Sequence, residues 1–170
     1  MKIPVFVSCP TDLNKKQEAQ RALILEMLES LNLEARALGR SDYPADLPLR
    51  EVSVIARHCS GGVILGFTQF TATAGTWKEG TKKQKPLTAP LKVPSPWNQL
   101  EAGILFSLHR PILVFRESGL EGGIFDLGVT DVFVHPMPDQ KSNMNELKEI
   151  FLKWRDKVGG VYYQVTTRTA

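Results

Sequence analysis

The sequence predicts an α/β domain: a mainly parallel, five-stranded sheet with helices on both faces, of the flavodoxin-like type. Three observations carry this. Short apolar, β-branched runs alternate with segments of helical spacing, the pattern of a wound parallel sheet. The runs are apolar at successive positions, as in strands covered on both sides. The 170 residues suffice for one domain with a full core, and 42% apolar and 23% charged residues are globular values.

The elements follow in order. Val5-Phe6-Val7 reads as a first strand that stops at Ser8-Cys9-Pro10. Residues 14–32 have helical spacing, with Leu23, Met27 and Leu31 as a stripe, Ile24 and Leu28 beside it, and Asn32 as a stop. Leu33 to Leu38 is a second strand, and Gly39 to Pro44 a loop. Val52, Ile55 and Ala56 mark a helix from Leu49 to His58. Gly61 to Phe67 is a third strand. Residues 68–94 show no period, are rich in Lys, Thr, Gly and Pro, and are expected to form a long loop that serves as a lid or a binding loop. Ser95 as N-cap and Pro96 at the first helical position open a helix to about His109. Pro111 to Phe115 is a fourth strand, Gly122 to Gly128 a turn, and Val132-Phe133-Val134 a fifth strand closed by Pro136 and Pro138. Residues 142–158 form the last helix on Met144, Leu147, Ile150, Phe151 and Trp154, and Val161 to Val165 reads as a short strand or a loose tail.

Composition excludes several classes. No apolar run approaches the length needed to span a bilayer, and the N-terminal stretch lacks a signal-peptide pattern, so a cytoplasmic location is the default expectation. Cys9 and Cys59 are too few for a disulfide framework. His58, His109 and His135 lack metal-ligand spacing, and no cofactor is implied. The net charge is +3, but residues 71–94 hold Lys78, Lys82, Lys83, Lys85 and Lys92 against Glu79 alone. That segment carries +4 and the rest about −1. The distribution is unlike that of a globally basic nucleic-acid binder, and no nucleic-acid partner is expected.

In parallel sheets ligands sit beyond the carboxyl ends of the strands. Ser8, Cys9 and Pro10 lie there after the first strand, Phe67 and Thr68 after the third, and the helix from Ser95 starts nearby. Asp42, with Arg40 and Ser41, follows the second strand and is a candidate for a ribose or phosphate contact. Glu101 sits in the second turn of its helix, four residues from Trp97 and from Leu105, and is the candidate catalytic group. Burial would raise its pKa and the helix N-terminus would oppose that shift.

The run Glu101-Ala102-Gly103, followed by Leu108-His109-Arg110-Pro111-Ile112-Leu113-Val114, resembles a pattern of nucleoside 2-deoxyribosyltransferases. Val5-Phe6-Val7-Ser8 is similar to the first strand of that family and of TIR domains. Ile55 to Leu65, and Ser95-Pro96-Trp97-Asn98-Gln99-Leu100-Glu101, resemble TIR segments. The likeness covers roughly residues 3–135. It implies an N-glycosidase-type enzyme, a hydrolase or a deoxyribosyltransferase, that cleaves the base–ribose bond of a nucleotide or nucleoside, NAD or a pyrimidine nucleotide, with Glu101 at the sugar. Trp97 or Phe67 would stack on the base, and Asn98 would join Ser8, Cys9, Pro10, Asp42 and Thr68 around the substrate. It further implies a homo-oligomer. The alternative it leaves open is a non-catalytic nucleotide-binding or assembly module. One departure is plain: deoxyribosyltransferases place an Asp after the third strand, where this chain has Gly66-Phe67-Thr68-Gln69.

Overall fold

The computed structural model describes residues 2–37, 47–128 and 132–168. Its centre is a five-stranded parallel sheet. Strand β1 spans Ile3–Ser8, β2 Leu33–Arg36, β3 Gly62–Gly66, β8 Ile112–Arg116 and β9 Val134–Pro136, in the spatial order β2-β1-β3-β8-β9. Every neighbouring pair in this sheet is parallel. The order turns back between β1 and β3, which makes that point the natural crevice of the sheet.

Helices cover both faces. Helix α1 (Lys15–Ser30) and helix α4 (Met144–Arg168) pack with Val5, Val7, Val63, Leu65, Phe67, Leu113 and Phe115 on one side. Helix α2 (Pro48–His58) and helix α3 (Pro96–Ser107) pack with Phe6, Ile64 and Val114 on the other. Strand β3 contributes to both cores and is buried at all five positions, as its unbroken apolar run requires.

Local chemistry sets the helix ends. Asn14 caps α1 by a capping box with Gln17. Asn32 takes φ 62° just past its end, the left-handed conformation that Asn tolerates. Helix α3 ends at Ser107, two residues before the expected limit. His109 stands at φ 52°, and the amides of His109 and Arg110 return to the carbonyls of Phe106 and Leu105 as a Schellman cap.

Four expectations need correction. The buried stripe of α1 runs through Gln17, Gln20, Ile24, Met27 and Leu28, so Leu23 is displaced to its margin. Segment 68–94 is not a structureless loop. It forms a two-tier antiparallel arm: β4 (Phe70–Ala72) pairs with β7 (Leu91–Val93), and β5 (Thr76–Trp77) with β6 (Lys85–Pro86). Its side chains are mostly exposed on both faces, so no two-residue hydrophobic period marks it. The fifth strand lies two residues later than expected. There Pro136 is tolerated because an edge strand needs no outward amide, while Phe133 stays exposed. Helix α4 continues through Gly159-Gly160, where a break into a strand or tail was expected. Leu147, Phe151, Trp154 and Val158 are buried and Tyr162 packs against the same core, which outweighs the cost of about 1 kcal/mol per helical glycine.

Two glycines let other elements approach the sheet. The Leu105 side chain occupies the space where a Cβ at Gly62 would stand, which seats α3 on β3. A Cβ at Gly66 would lie 2.5 Å from Cε1 of the buried Phe125 ring. Overpacking of this kind costs about 1–3 kcal/mol. Gly66→Ala should therefore lower the unfolding free energy by that amount in denaturant titration; an unchanged midpoint would show that the ring can yield freely.

Candidate functional site

The site begins with two ends brought together. Ser8 is the last residue of β1 and is fully buried. Ser95 caps α3, accepting from the Trp97 amide at 3.3 Å, and Pro96 supplies the preset first turn. This start directs Asn98, Ala102 and Leu105 inward. Asn98 is 1% exposed, and its Nδ2 donates to Ser8 Oγ at 2.7 Å. The same amide lies 3.5 Å from the Leu65 carbonyl of β3. The α3 turn is thus pinned beside the β1–β3 crevice.

Glu101 stands three residues after Asn98 at the margin of that buried face and is half-buried. Burial raises its carboxyl from 4.5 to about 7, and a hydrogen bond with the Ser8 side chain opposes the rise. Since the Asn98 amide can only donate to Ser8 Oγ, the single hydroxyl proton of Ser8 is left for the Glu101 carboxylate. The result is a directed chain, Asn98 to Ser8 to Glu101. Near neutral pH the acid is about half ionised, and both protonation states are accessible. Asn98 Oδ1 is buried and has no hydrogen-bond partner among the described residues. It is an acceptor with no donor assigned to it.

The other expected residues divide. Cys9 is half-buried, with Sγ 3.5 Å from the Pro10 carbonyl, and Pro10 is buried. On helix α3 Trp97 is 43% exposed, Glu101 is half-buried and Leu105 is fully buried. The Trp97 indole remains open to solvent. Phe67 is fully buried in the core shared with α1 and α4, so it offers no stacking surface. Asp42, with Arg40 and Ser41, lies outside the described residues.

Thr68 belongs to a second polar cluster. Its amide donates to Glu117 Oε2 at 2.7 Å, and Gln17 Nε2 donates to Glu117 Oε1 at 3.2 Å. These groups line an open cleft of about 840 Å³ at the ends of β3, β8 and β9, together with Lys16, Arg116 and His135. Burial lowers the pKa of His135 against the pull of Glu146. Glu117 was missed in the sequence, although an acid placed just after a strand was a usable signal. Gln17 was missed because a polar residue on the helix stripe reads as solvent-facing. Among the described residues, no group of three or more His, Cys, Asp or Glu could hold a metal ion. No described helix is long and apolar enough to cross a membrane.

No protein-family model matches the chain, and no curated protein matches it. Among solved structures it is similar to Clostridium botulinum CMP N-glycosidase, BcmB, with a TM-score of 0.53 and 12% identity over 85% of this chain and 96% of that one. At this identity the likeness establishes the fold.

The raised pKa of Glu101 has a measurable consequence. The folded state holds the proton more tightly than the unfolded chain. The associated stabilisation is complete below about pH 4.5 and is lost as the pH rises through about 7. A shift of that size corresponds to at most about 3 kcal/mol, less what partial solvent access screens. Glu101→Gln should therefore raise the unfolding free energy at pH 8 by about 1–3 kcal/mol and flatten its decline between pH 5 and 8. Equal pH dependence in both proteins would show that Glu101 is not the titrating group.

Proposed function

We propose that the protein is an N-glycosidase that cleaves the base–ribose bond of a nucleotide or nucleoside, with Glu101 as its catalytic residue and pyrimidine nucleotides as the first substrates to examine. One observation carries this reading: a carboxyl group desolvated to a pKa of about 7 stands at the carboxyl end of β1, beside the crevice of the sheet, oriented by a buried serine and asparagine. The fold shared with a CMP N-glycosidase supports it.

The chemistry asks little else of the protein. As the C1′–N bond breaks, its electron pair leaves with the base and positive charge develops on the sugar. A preorganised carboxylate in a poorly solvated site offsets that charge. Water then adds its hydroxyl to C1′, and its proton is delivered to the departing base. The same demand places carboxylates beside the sugar in glycoside hydrolysis. Asn98, sealed from solvent, would act through Ser8, holding its hydroxyl toward Glu101. The exposed Trp97 indole offers a face for the base.

Incubation with CMP, UMP and NAD, followed by chromatography for free base, tests the proposal directly. Release from at least one is expected, and Glu101→Gln should reduce it by at least about a thousandfold while binding persists. Binding without release from any substrate would assign the chain a sensor role instead. If the carboxylate is the working form, kcat/KM should rise with pH up to about 7 and then level. In Ser8→Ala the loss of the opposing hydrogen bond should move that rise to higher pH; a profile that stays in place would remove Ser8 from the arrangement.

A further inference from the structure

The arm between β3 and α3 takes no part in the Glu101 site as described above, yet it is built with care. The turn joining β5 to β6 holds Lys78 at φ 51° and Gly80 at φ 73°. Gly80 N donates to Gln84 Oε1 at 2.7 Å, Thr81 Oγ1 donates to the Lys78 carbonyl at 2.8 Å, and Leu87 N donates to the Gly75 carbonyl at 2.8 Å. These bonds order a hairpin whose residues 73–86 are all exposed. Hydrophobic burial therefore does not account for its order, because the tip buries almost nothing.

What the hairpin displays is selective. Residues 77–85 contain Lys78, Lys82, Lys83 and Lys85 against Glu79, a local charge of +3 on a chain whose remainder is close to neutral. Trp77 and Lys85 are direct cross-strand partners and so share one face of the ribbon. Trp77, Lys78, Lys83 and Lys85 together line one shallow concavity of about 490 Å³. An aromatic ring 43% exposed, set among three ammonium groups, offers a stacking face with cations around it.

We infer that this arm binds single-stranded nucleic acid, the Trp77 indole stacking on a base while Lys78, Lys83 and Lys85 contact the phosphates on either side. Stacking platforms inside a positive groove are how sequence-tolerant single-strand binding is built. The charge is spread over a ribbon tip and the concavity is open, which suits a strand passing across it better than one enclosed phosphate. The tip from Lys78 to Gln84 carries no apolar side chain, so it has nothing to insert into a lipid surface. The chain as a whole is not strongly basic; the positive charge is concentrated on the arm, apart from Glu101.

The test uses the full chain and a fluorescent twelve-residue oligouridylate, followed by anisotropy. Binding is expected in the micromolar range at 50 mM salt. Three phosphate contacts on a single strand imply a loss of affinity on the order of tenfold between 50 and 200 mM salt. Trp77→Ala should weaken binding at least about fivefold, and Lys78→Gln, Lys83→Gln and Lys85→Gln combined should remove most of the salt dependence. All four positions are exposed, so circular dichroism should report an unchanged fold. No binding at 50 mM salt would overturn the inference, as would binding that survives these changes. Co-sedimentation with phosphatidylserine vesicles in the absence of oligonucleotide binding would equally overturn it.

Discussion

The amide of Asn98 lies 2.7 Å from the hydroxyl of Ser8, and both groups are sealed from solvent. This contact joins the first turn of α3 to the last residue of β1 across 90 positions of sequence. Much else follows from it. A buried amide and a buried hydroxyl are costly unless they satisfy each other, so the pairing fixes where α3 can sit. Gly62 allows the approach by leaving room for Leu105, and the Ser95-Pro96 start sets the phase of the helix so that Asn98 turns inward. Once that phase is set, Glu101 is placed at the rim of the core, where its carboxyl is shielded enough to be raised to about 7.

The sheet supplies the frame for this contact. Its order reverses between β1 and β3, the two strands whose ends approach Asn98. The two hydrophobic layers, α1 with α4 and α2 with α3, hold β3 buried on both sides and leave the strand ends as the place where polar groups gather. Two such gatherings stand among the described residues. Ser8, Asn98 and Glu101 lie on the side of α3, and Gln17, Thr68 and Glu117 lie toward α1. Glu117 receives donors from Thr68 and Gln17, so it braces the loop after β3. At Glu101 burial is the dominant influence on ionisation.

Much of the frame was legible in the residues. The apolar run at 62–66 announced a strand covered on both faces, and Val52, Ile55 and Ala56 announced α2. Ser95 and Pro96 announced the start of α3 because capping chemistry is local. The arm at 70–93 was not legible, since a ribbon exposed on both faces has no hydrophobic period. The extension of α4 past Gly159-Gly160 was hidden for a different reason: local propensity argues for a break, and only packing against the first core layer reverses it.

The sequence by itself determined the class of fold and the end of the sheet at which polar groups collect, because periodicity and capping act over a few residues; Ser8 and Glu101 were candidates by their positions, and Asn98 by resemblance alone. Tertiary structure decided which candidates meet. It buried Phe67 in the core, drew Thr68 toward Glu117, and joined Asn98 to Ser8. It also set the ionisation of Glu101, for desolvation depends on what the rest of the chain packs around a carboxyl group and not on the residues beside it in sequence.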